Sequence, residues 1–513
     1  LGESDGEQHK PVLALVEERL EGGGRVVGAA TLAVTPHFWV RGKSNATKGT
    51  PRTFYVLILI DYVNKFSVVK NFILIDQCIL STLKLWVDAQ RAKKMELNPN
   101  QQRAVDLALA GESLFLTGPA GVGKSFTLKH IITKLKEQHG KGAVYVTAST
   151  GTAALAIRGI TLHSFAGVGL GTASVDELVK RMKKSAKTNW NKCVVLVVDE
   201  ISMISCTLFS KLDYIGRIVR EKCGAPFGGI QLVLCGDFFQ LPPVPDKAEP
   251  PNTPRFAFQS PSWKVAVPNV VHLETIYRQN NSTFVRLLMG LRRGFVHPQI
   301  HDVLDPCYQQ DDEDRETVIQ HTKLYPLRRD VDKENDSHLN NLNAIKDVYV
   351  AKDSGDQEYM NQLRKNCPAQ DELTLSVGAQ VILLKNLDVH VGLVNGSRGV
   401  VTELKEGEGP VVLFFNGVSM TMERAEFSFE VAGKVVATRW QIPLALAWAI
   451  SIHKSQGMSI DKLYVDLRGV FEYGQAYVAL SRARTLEGLK LAKFDARVIR
   501  AHPAVVKYYD EIV

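Results

Sequence analysis

The sequence predicts an α/β protein with a small β-barrel inserted in its second half, and three observations carry that expectation. Continuous apolar runs, Ser113 to Thr117, Ala143 to Ala148, and stretches within Cys193 to Glu200 and Gly228 to Pro243, read as strands buried on both faces, as parallel sheets require. Helical patterns separate them, the clearest being the stripe Ile204, Leu208, Leu212, Ile215 and Val219, closed by Gly224 and Pro226. From Leu373 to Val436 the pattern changes to short strands with turns at Asn395-Gly396, Gly407 to Pro410 and Asn416-Gly417, the mark of a small barrel.

At 513 residues the chain is too long for one core, and roughly three domains are expected. A net charge of +8 permits a polyanionic partner without requiring one. The seven cysteines are scattered, with no C-x-x-C pair, which argues against a zinc site or a disulfide framework and for a reducing compartment. The longest apolar stretches, Tyr55 to Ile60 and Ile442 to Ile452, are shorter than the ~18 residues of a membrane span, so no membrane partner is expected.

Taken in order, residues 1 to about 90 are the least legible. Gly22-Gly-Gly24 is expected to break a helix ending at Glu21, and Phe38 to Pro51 reads as polar, basic and rich in turn residues. Phe54 to Ile60 and Phe66 to Ile75 read as β-rich, and Leu80 to Val87 as the start of a helix. An appended variable region and an accessory DNA-binding or regulatory module are the two readings, and no site residue is assigned there.

A helix is expected from Leu97 on, with Asn98 as N-cap and Pro99 at its first position. Gln101, just inside it, can both donate to and accept from an adenine edge. Gly118-Pro-Ala-Gly-Val-Gly-Lys-Ser125 then fits G-x-x-x-x-G-K-[ST] at every position, between an apolar run and the helix-forming Phe126 to Ile132. Gly118, Pro119, Ala120, Gly121, Val122 and Gly123 are expected to wrap phosphate oxygens, helped by the positive end of a helix starting near Lys124. Lys124 should reach the β and γ phosphates and Ser125 should hold Mg²⁺.

Beyond the loop, Ser149 to Ala154 turns into a helix of small residues, and Thr161 to Gly169 offers hydroxyls, a histidine and an aromatic near a strand end. They suit phosphate contact and base stacking; the competing reading puts Phe165 in the core and makes His163 an ordinary satisfied side chain. The basic run Lys180 to Lys184, with Lys187 and Trp190, is a solvated helix face or the flank of a nucleic-acid channel. The apolar strand ending Asp199-Glu200 supplies a metal ligand in Asp199 and a general base in Glu200. Gln240 is a candidate sensor of hydrolysis, Pro242 to Pro254 the expected hinge between domains, and Asp311 to Asp314 an exposed acidic loop. A cleft between two α/β domains needs a cation from the far side, and Arg278 and Arg482, the latter expected on a helix from Gln475 to Arg484, are best placed to supply it.

The ordered set LNPNQQ, GPAGVGKS, TASTGTAA with TLHSFAG, VVDEISM, CGDFFQLPPV, IYRQ, SIHKSQGMSID and YVALSRAR resembles the Pif (petite integration frequency) family of DNA helicases, superfamily one, branch B. The stretch Glu200 to Gly229, ending Pro-Phe-Gly-Gly, resembles that family's signature segment. The match runs from about Leu97 to Asp495.

The resemblance implies two RecA-like domains with ATP between them: residues 91–260 with a wedge at about 168–192, then 261–372 and 437–513, with a Src-homology-three-like barrel at 373–436. It implies Gln101 at adenine, Lys124, Ser125, Asp199 and Glu200 at phosphates and Mg²⁺, and Gln240, Gly457, Arg278 and Arg482 around the γ phosphate. DNA contacts are expected at Thr150, Thr161, His163, Phe165, His453 and Ser455. The activity implied is ATP-driven 5′-to-3′ translocation on single-stranded DNA, opening forked or structured DNA, by a monomer working in genome maintenance in the nucleus or mitochondrion. Two rivals stand beside it: an RNA-directed helicase, and a nucleotide-gated clamp that binds single strands without unwinding.

Overall fold

The computed structural model describes residues 97–512 apart from 246–249, 251, 252, 299, 309–318, 343, 389, 390 and 494, together with the backbone of five strands between residues 12 and 67. Those strands belong to a unit of their own. Val12–Arg19 pairs antiparallel with Arg25–Leu32, and His37–Lys43, Thr53–Asp61 and Lys65–Ser67 form a meander. The segment expected to be a helix up to Glu21 is therefore a strand, because Val12 and Val16 favour extended backbone and Gly22-Gly-Gly24 suits the link of a hairpin. The stretch read as turn-rich from Phe38 begins as a strand, carried by Phe38, Trp39 and Val40. Thr53–Asp61 covers the first expected β segment, while Leu80 to Val87 lies outside the described residues.

The first lobe is a six-stranded parallel sheet in the order Asn269–His272, Leu114–Thr117, Gln231–Cys235, Val195–Asp199, Val144–Ala148, Ile160–Thr161. Its inner strands are buried along their whole length, which is why they read as continuous apolar runs. The helix Pro99–Leu109 opens with a capping box between Asn98 and Gln101, with Pro99 at its start. Residues 168–192 hold the helices Val175–Arg181 and Lys184–Lys192, which bury Leu178, Met182, Ala186 and Trp190 and leave Lys180, Lys183, Lys184 and Lys187 exposed.

The boundary expected at residue 260 falls too early. Asn269–His272 pairs with Leu114–Thr117 inside the first sheet, so the proline-rich stretch around Pro242 to Pro254 lies within that lobe and is not the hinge. The final helix, Pro503–Ile512, was also expected in the second lobe, yet it closes the core of the first: Tyr508 stacks on Phe258 at 4.2 Å and accepts a hydrogen bond from Trp263 Nε1 at 3.1 Å. Large aromatic faces drive that return, and spacing along the chain does not announce it.

Helix Cys206–Val219 carries the expected stripe on its buried face, with Ile204 just ahead of it. The segment behind it is tied by two charges. Asp213 accepts from Arg217 Nε, from the Phe227 amide at 2.7 Å and from Ser262 Oγ at 2.5 Å; Arg220 donates to the carbonyls of Trp190, Cys193 and Gly228. Phe227 holds a left-handed φ of 49°, and a side chain at Gly216 would strike its backbone at 2.8 Å. Asp213→Ala is expected to cost about 3 kcal/mol, because it strands a buried amide and frees Arg217; urea unfolding followed by tryptophan fluorescence measures it.

The second lobe is a four-stranded parallel sheet in the order Ala449–Ser451, Thr322–Tyr325, Leu463–Asp466, Leu489–Lys493. Strands lie between its first and second segments, as expected, but they begin earlier than 373 and end later than 436. Lys346–Val350 pairs with Glu372–Ser376; Lys352–Gly355, Lys434–Gln441 and Ala425–Val431 make a three-stranded sheet; and a five-stranded antiparallel sheet has the order Ser419–Thr421, Gly409–Phe414, Arg398–Lys405, Gln380–Leu383, Leu444–Leu446. Long-range partners such as Lys352 with Trp440 set these limits. Asp311 to Asp314 lies outside the described residues, and among those described no helix is long and apolar enough to cross a membrane.

Candidate nucleotide site

The site forms at the carboxyl ends of Leu114–Thr117 and Val195–Asp199, where ligands of open parallel sheets collect. Gly118 to Gly123 leaves the first strand and turns into helix Lys124–His139. A Cβ at Gly118 would lie 2.3 Å from the Leu273 carbonyl, and Gly123 sits at φ 84° with Gln101 Nε2 2.9 Å from where its Cβ would be. Only glycine admits that cradle. Val122 buries its side chain completely, so what it offers the site is backbone. Lys124 Nζ donates to the carbonyls of Gly118 at 2.7 Å and Pro119 at 2.9 Å, and burial lowers its pKa.

Asp199 and Glu200 end the neighbouring strand, with Asp199 accepting from the Glu200 amide at 2.9 Å. Burial raises both carboxyl groups; Glu200 is pushed up to about 7, with Asp199 adding to the shift and Lys124 and Arg482 opposing it. Glu200 stands in a left-handed conformation, φ 53°, strain that turns it away from the strand. Its carboxylate accepts from Gln456 Nε2 of the second lobe at 2.8 Å.

Gln101 is 2% exposed and its amide is engaged: Oε1 accepts from the Asn98 amide and Nε2 donates to the Val122 carbonyl. The ring of Tyr277 lies beside Gly123 and is 55% exposed, and its hydroxyl accepts from Asn98. Ser125 is exposed in the first turn of its helix.

Gln240 is buried, and its Nε2 donates to Asp237 at 3.3 Å. Asp237, 0% exposed, receives Arg292 in a fork of 2.7 and 3.1 Å; burial alone would raise its pKa, but Arg292 holds it below the ordinary carboxylate range.

Both candidate arginines converge on this place. Arg482 is 1% exposed and donates to Val478 O, Ser481 Oγ and Ser455 O; burial brings its pKa down to about 10. The helix expected to carry it stops at Leu480, and Arg482 lies in the turn that follows. Arg278, expected to come from the far domain, is instead tethered to the phosphate loop: the Tyr277 amide donates to Gly121 O, and the Arg278 Cβ abuts Gly121. Its guanidinium reaches across to Ser481 O at 3.0 Å and Gly457 O at 3.5 Å. Gln279 joins it there, donating to Ser481 O and Ala483 O.

The expected DNA-contacting residues do not gather as a set. Phe165 is fully buried, its ring 5.0 Å from that of Trp190 and 5.2 Å from that of Tyr145, so it is core and no base can stack on it. Ser455 is also fully buried, with Oγ donating to Ile452 O. Thr150 and Thr161 cap the helices Gly151–Ala156 and Leu162–Ala166. His163 is half-buried, and burial lowers its pKa, while His453 is exposed at the surface. A cavity of about 300 Å³ is lined by Thr152 and Lys454, neighbours of two of these residues, and by Asp332, Asp336 and Glu372. Three carboxylates against one ammonium make it a poor grip for a run of phosphates.

A family model described as PIF1-like helicase matches residues 96–295, and one described as DNA helicase Pif1, 2B domain, matches residues 358–404 within the inserted strands. The crystal structure of Pif1 helicase from Candida albicans is 38% identical, with a TM-score of 0.63, over 82% of this chain and 100% of that one. The chain belongs to the PIF1-like helicase family. The ATP-dependent DNA helicase PIF1 of Xenopus laevis is 41% identical over 425 residues, 82% of this chain and 65% of that protein. This family member thus spans a little under two thirds of that curated relative. Pif1 of Bacteroides, solved in complex with ADP-AlF3 and single-stranded DNA, is 30% identical, with a TM-score of 0.57, over 81% of this chain and 97% of that one.

Asp237, Arg292, Gln279, Gln456 and Tyr477 complete the site and were not assigned from sequence. All but Arg292, which ends the helix Ser282–Arg292, lie within a motif already singled out, but only the folded chain shows which of them turn inward.

Proposed function

We propose that this chain is an ATP-dependent DNA helicase that moves 5′ to 3′ on single-stranded DNA and opens forked or structured duplex, serving genome maintenance in the nucleus or mitochondrion as a monomer. In this reading the inserted strands form the Src-homology-three-like barrel of the second lobe. The observation that supports it most is the junction itself: Lys124, Asp199 and Glu200 on one lobe face Arg482 and Gln456 on the other, with Arg278 bridging them. The names of the relatives, an ATP-dependent DNA helicase and a Pif1 bound to single-stranded DNA, agree with it.

The residues present fit a nucleotide and a divalent cation. The cradle takes phosphate oxygens where any Cβ would collide, and two adjacent buried carboxyls call for a positive partner. Ser125 and Asp199 would hold Mg²⁺, which when bound offsets phosphate charge. Lys124 neutralises the phosphate chain from below. Glu200, oriented by Gln456, accepts the proton of the attacking water. Arg482 supplies positive charge from the second lobe, and Gln240, fixed by Asp237, reads the state of the site.

Because Gln456, Arg278 and Gln279 make their cross-lobe contacts at the phosphate end, hydrolysis changes what holds the lobes together there, and their relative movement steps the chain along DNA. Duplexes bearing either a 5′ or a 3′ single-stranded tail test this. Only the 5′-tailed duplex should be unwound, and only with ATP; unwinding confined to 3′ tails contradicts the polarity, and none at all contradicts the activity.

A further inference from the structure

Helix Gln475–Leu480 of the second lobe sends Tyr477 into the phosphate loop of the first. The ring is 2% exposed, packed in the core of its own lobe, and its hydroxyl accepts a hydrogen bond from the Ala120 amide at 2.8 Å. The peptide unit it touches is shared. Its carbonyl, that of Pro119, accepts from Lys124 Nζ at 2.9 Å, and its N–H serves Tyr477, so the lysine and the phenol bracket one peptide of the loop.

The surroundings are charged and close. Asp237, Arg292 and Arg482 all act on the phenol, and Tyr477 in turn acts on Arg278 and Arg482. Burial pushes the phenol pKa up to about 12, so it stays protonated at neutral pH. Since the oxygen accepts the Ala120 bond, the hydroxyl proton is left to donate. A neutral donor that is buried and stands beside the peptide Lys124 also holds, at a phosphate cradle, is the kind of group that stabilises charge during transfer.

We propose that the Tyr477 hydroxyl is a catalytic group of the second lobe, donating a hydrogen bond to the phosphoryl group as it is transferred to water. The inference rests on the ATPase reading above. A phenol in this position does two things at once. It ties the loop peptide to the helix that precedes Arg482, and it meets the phosphoryl oxygens in the geometry they take up as the group is transferred. It forms no covalent bond; the phosphoryl group passes from the nucleoside diphosphate to water, whose proton goes to Glu200.

Tyr477→Phe keeps the ring and its packing and removes only the hydroxyl. Its kcat for ATP is expected to fall about 10²-fold, the loss seen for one preorganised donor, with KM little changed. Equilibrium binding supplies the readout independent of turnover: affinity for ADP with aluminium fluoride should fall by a similar factor, while affinity for ADP alone stays that of the wild type and shows the fold to be intact. Equal weakening of both ligands would make the hydroxyl a mere support of the loop, and unchanged kcat and aluminium fluoride affinity would remove it from the reaction; either overturns the proposal. A wild-type chain without ATPase activity would instead sink the motor reading beneath it.

Discussion

Lys124→Ala should bring ATP hydrolysis down to background, a loss of at least about 10³-fold, and unwinding should vanish with it. The ammonium is half-buried and held 2.7 and 2.9 Å from two loop carbonyls, already at the mouth of the cradle. Alanine leaves the cradle's shape alone, because Gly118 and Gly123 set it by conformations that do not involve the lysine. What disappears is the charge that the phosphate loop itself offers the β and γ phosphates, and Arg292, a cation of the same surroundings, is committed to Asp237. Phosphate release measures the first effect. Fluorescence anisotropy with a labelled oligonucleotide should still report single-strand binding, since no strand contact is assigned to this loop. Hydrolysis that survived the substitution would show that the phosphates lie elsewhere.

The second large effect is expected at Arg482. Removing its guanidinium should cost on the order of 10³-fold in turnover while sparing ATP binding, the signature of a cation that acts mainly on the transition state. Its position explains the asymmetry. Arg482 is carried by the second lobe, buried, and within electrostatic reach of Glu200 and Asp237 on the first, whereas the ground-state contacts belong to the loop. Its present partners are carbonyls and a serine hydroxyl, with no carboxylate in contact, so its charge is free to act on phosphate. Arg482→Ala also removes the buried bonds to Val478 O, Ser455 O and Ser481 Oγ, and because Val478 O keeps Ser481 Oγ and Ser455 O keeps the Met458 amide, a stability loss of only about 1 kcal/mol is expected beside the kinetic one. Thermal melting separates the two, and a turnover near wild type in a folded Arg482→Ala protein would reassign the role to Arg278.

The sequence exposed what local chemistry encodes. The phosphate loop, the Asp199-Glu200 pair and the buried strands are runs of neighbours whose residue types have few other uses, and the structure places them together. Boundaries were harder, because Asn269–His272 and Pro503–Ile512 return to the first lobe by strand pairing and aromatic packing across hundreds of residues. The same limit hid Tyr477, Gln456 and Asp237. Each looks like a core or polar filler residue until the opposite lobe supplies its partner. Phe165 erred in the other direction: an aromatic beside hydroxyls suits a base, but Trp190 and Tyr145 pack against its fully buried ring. The two candidate arginines were legible as cations near the site, yet which lobe carried Arg278 was decided by a single backbone hydrogen bond to Gly121.

Coupling between nucleotide and strand is measured most directly by the rate of ATP hydrolysis as single-stranded DNA is titrated in. Hydrolysis should be slow alone and rise to a plateau as the oligonucleotide saturates, with the plateau lost in Lys124→Ala. A rate indifferent to added strand, in protein that binds the strand, would contradict it.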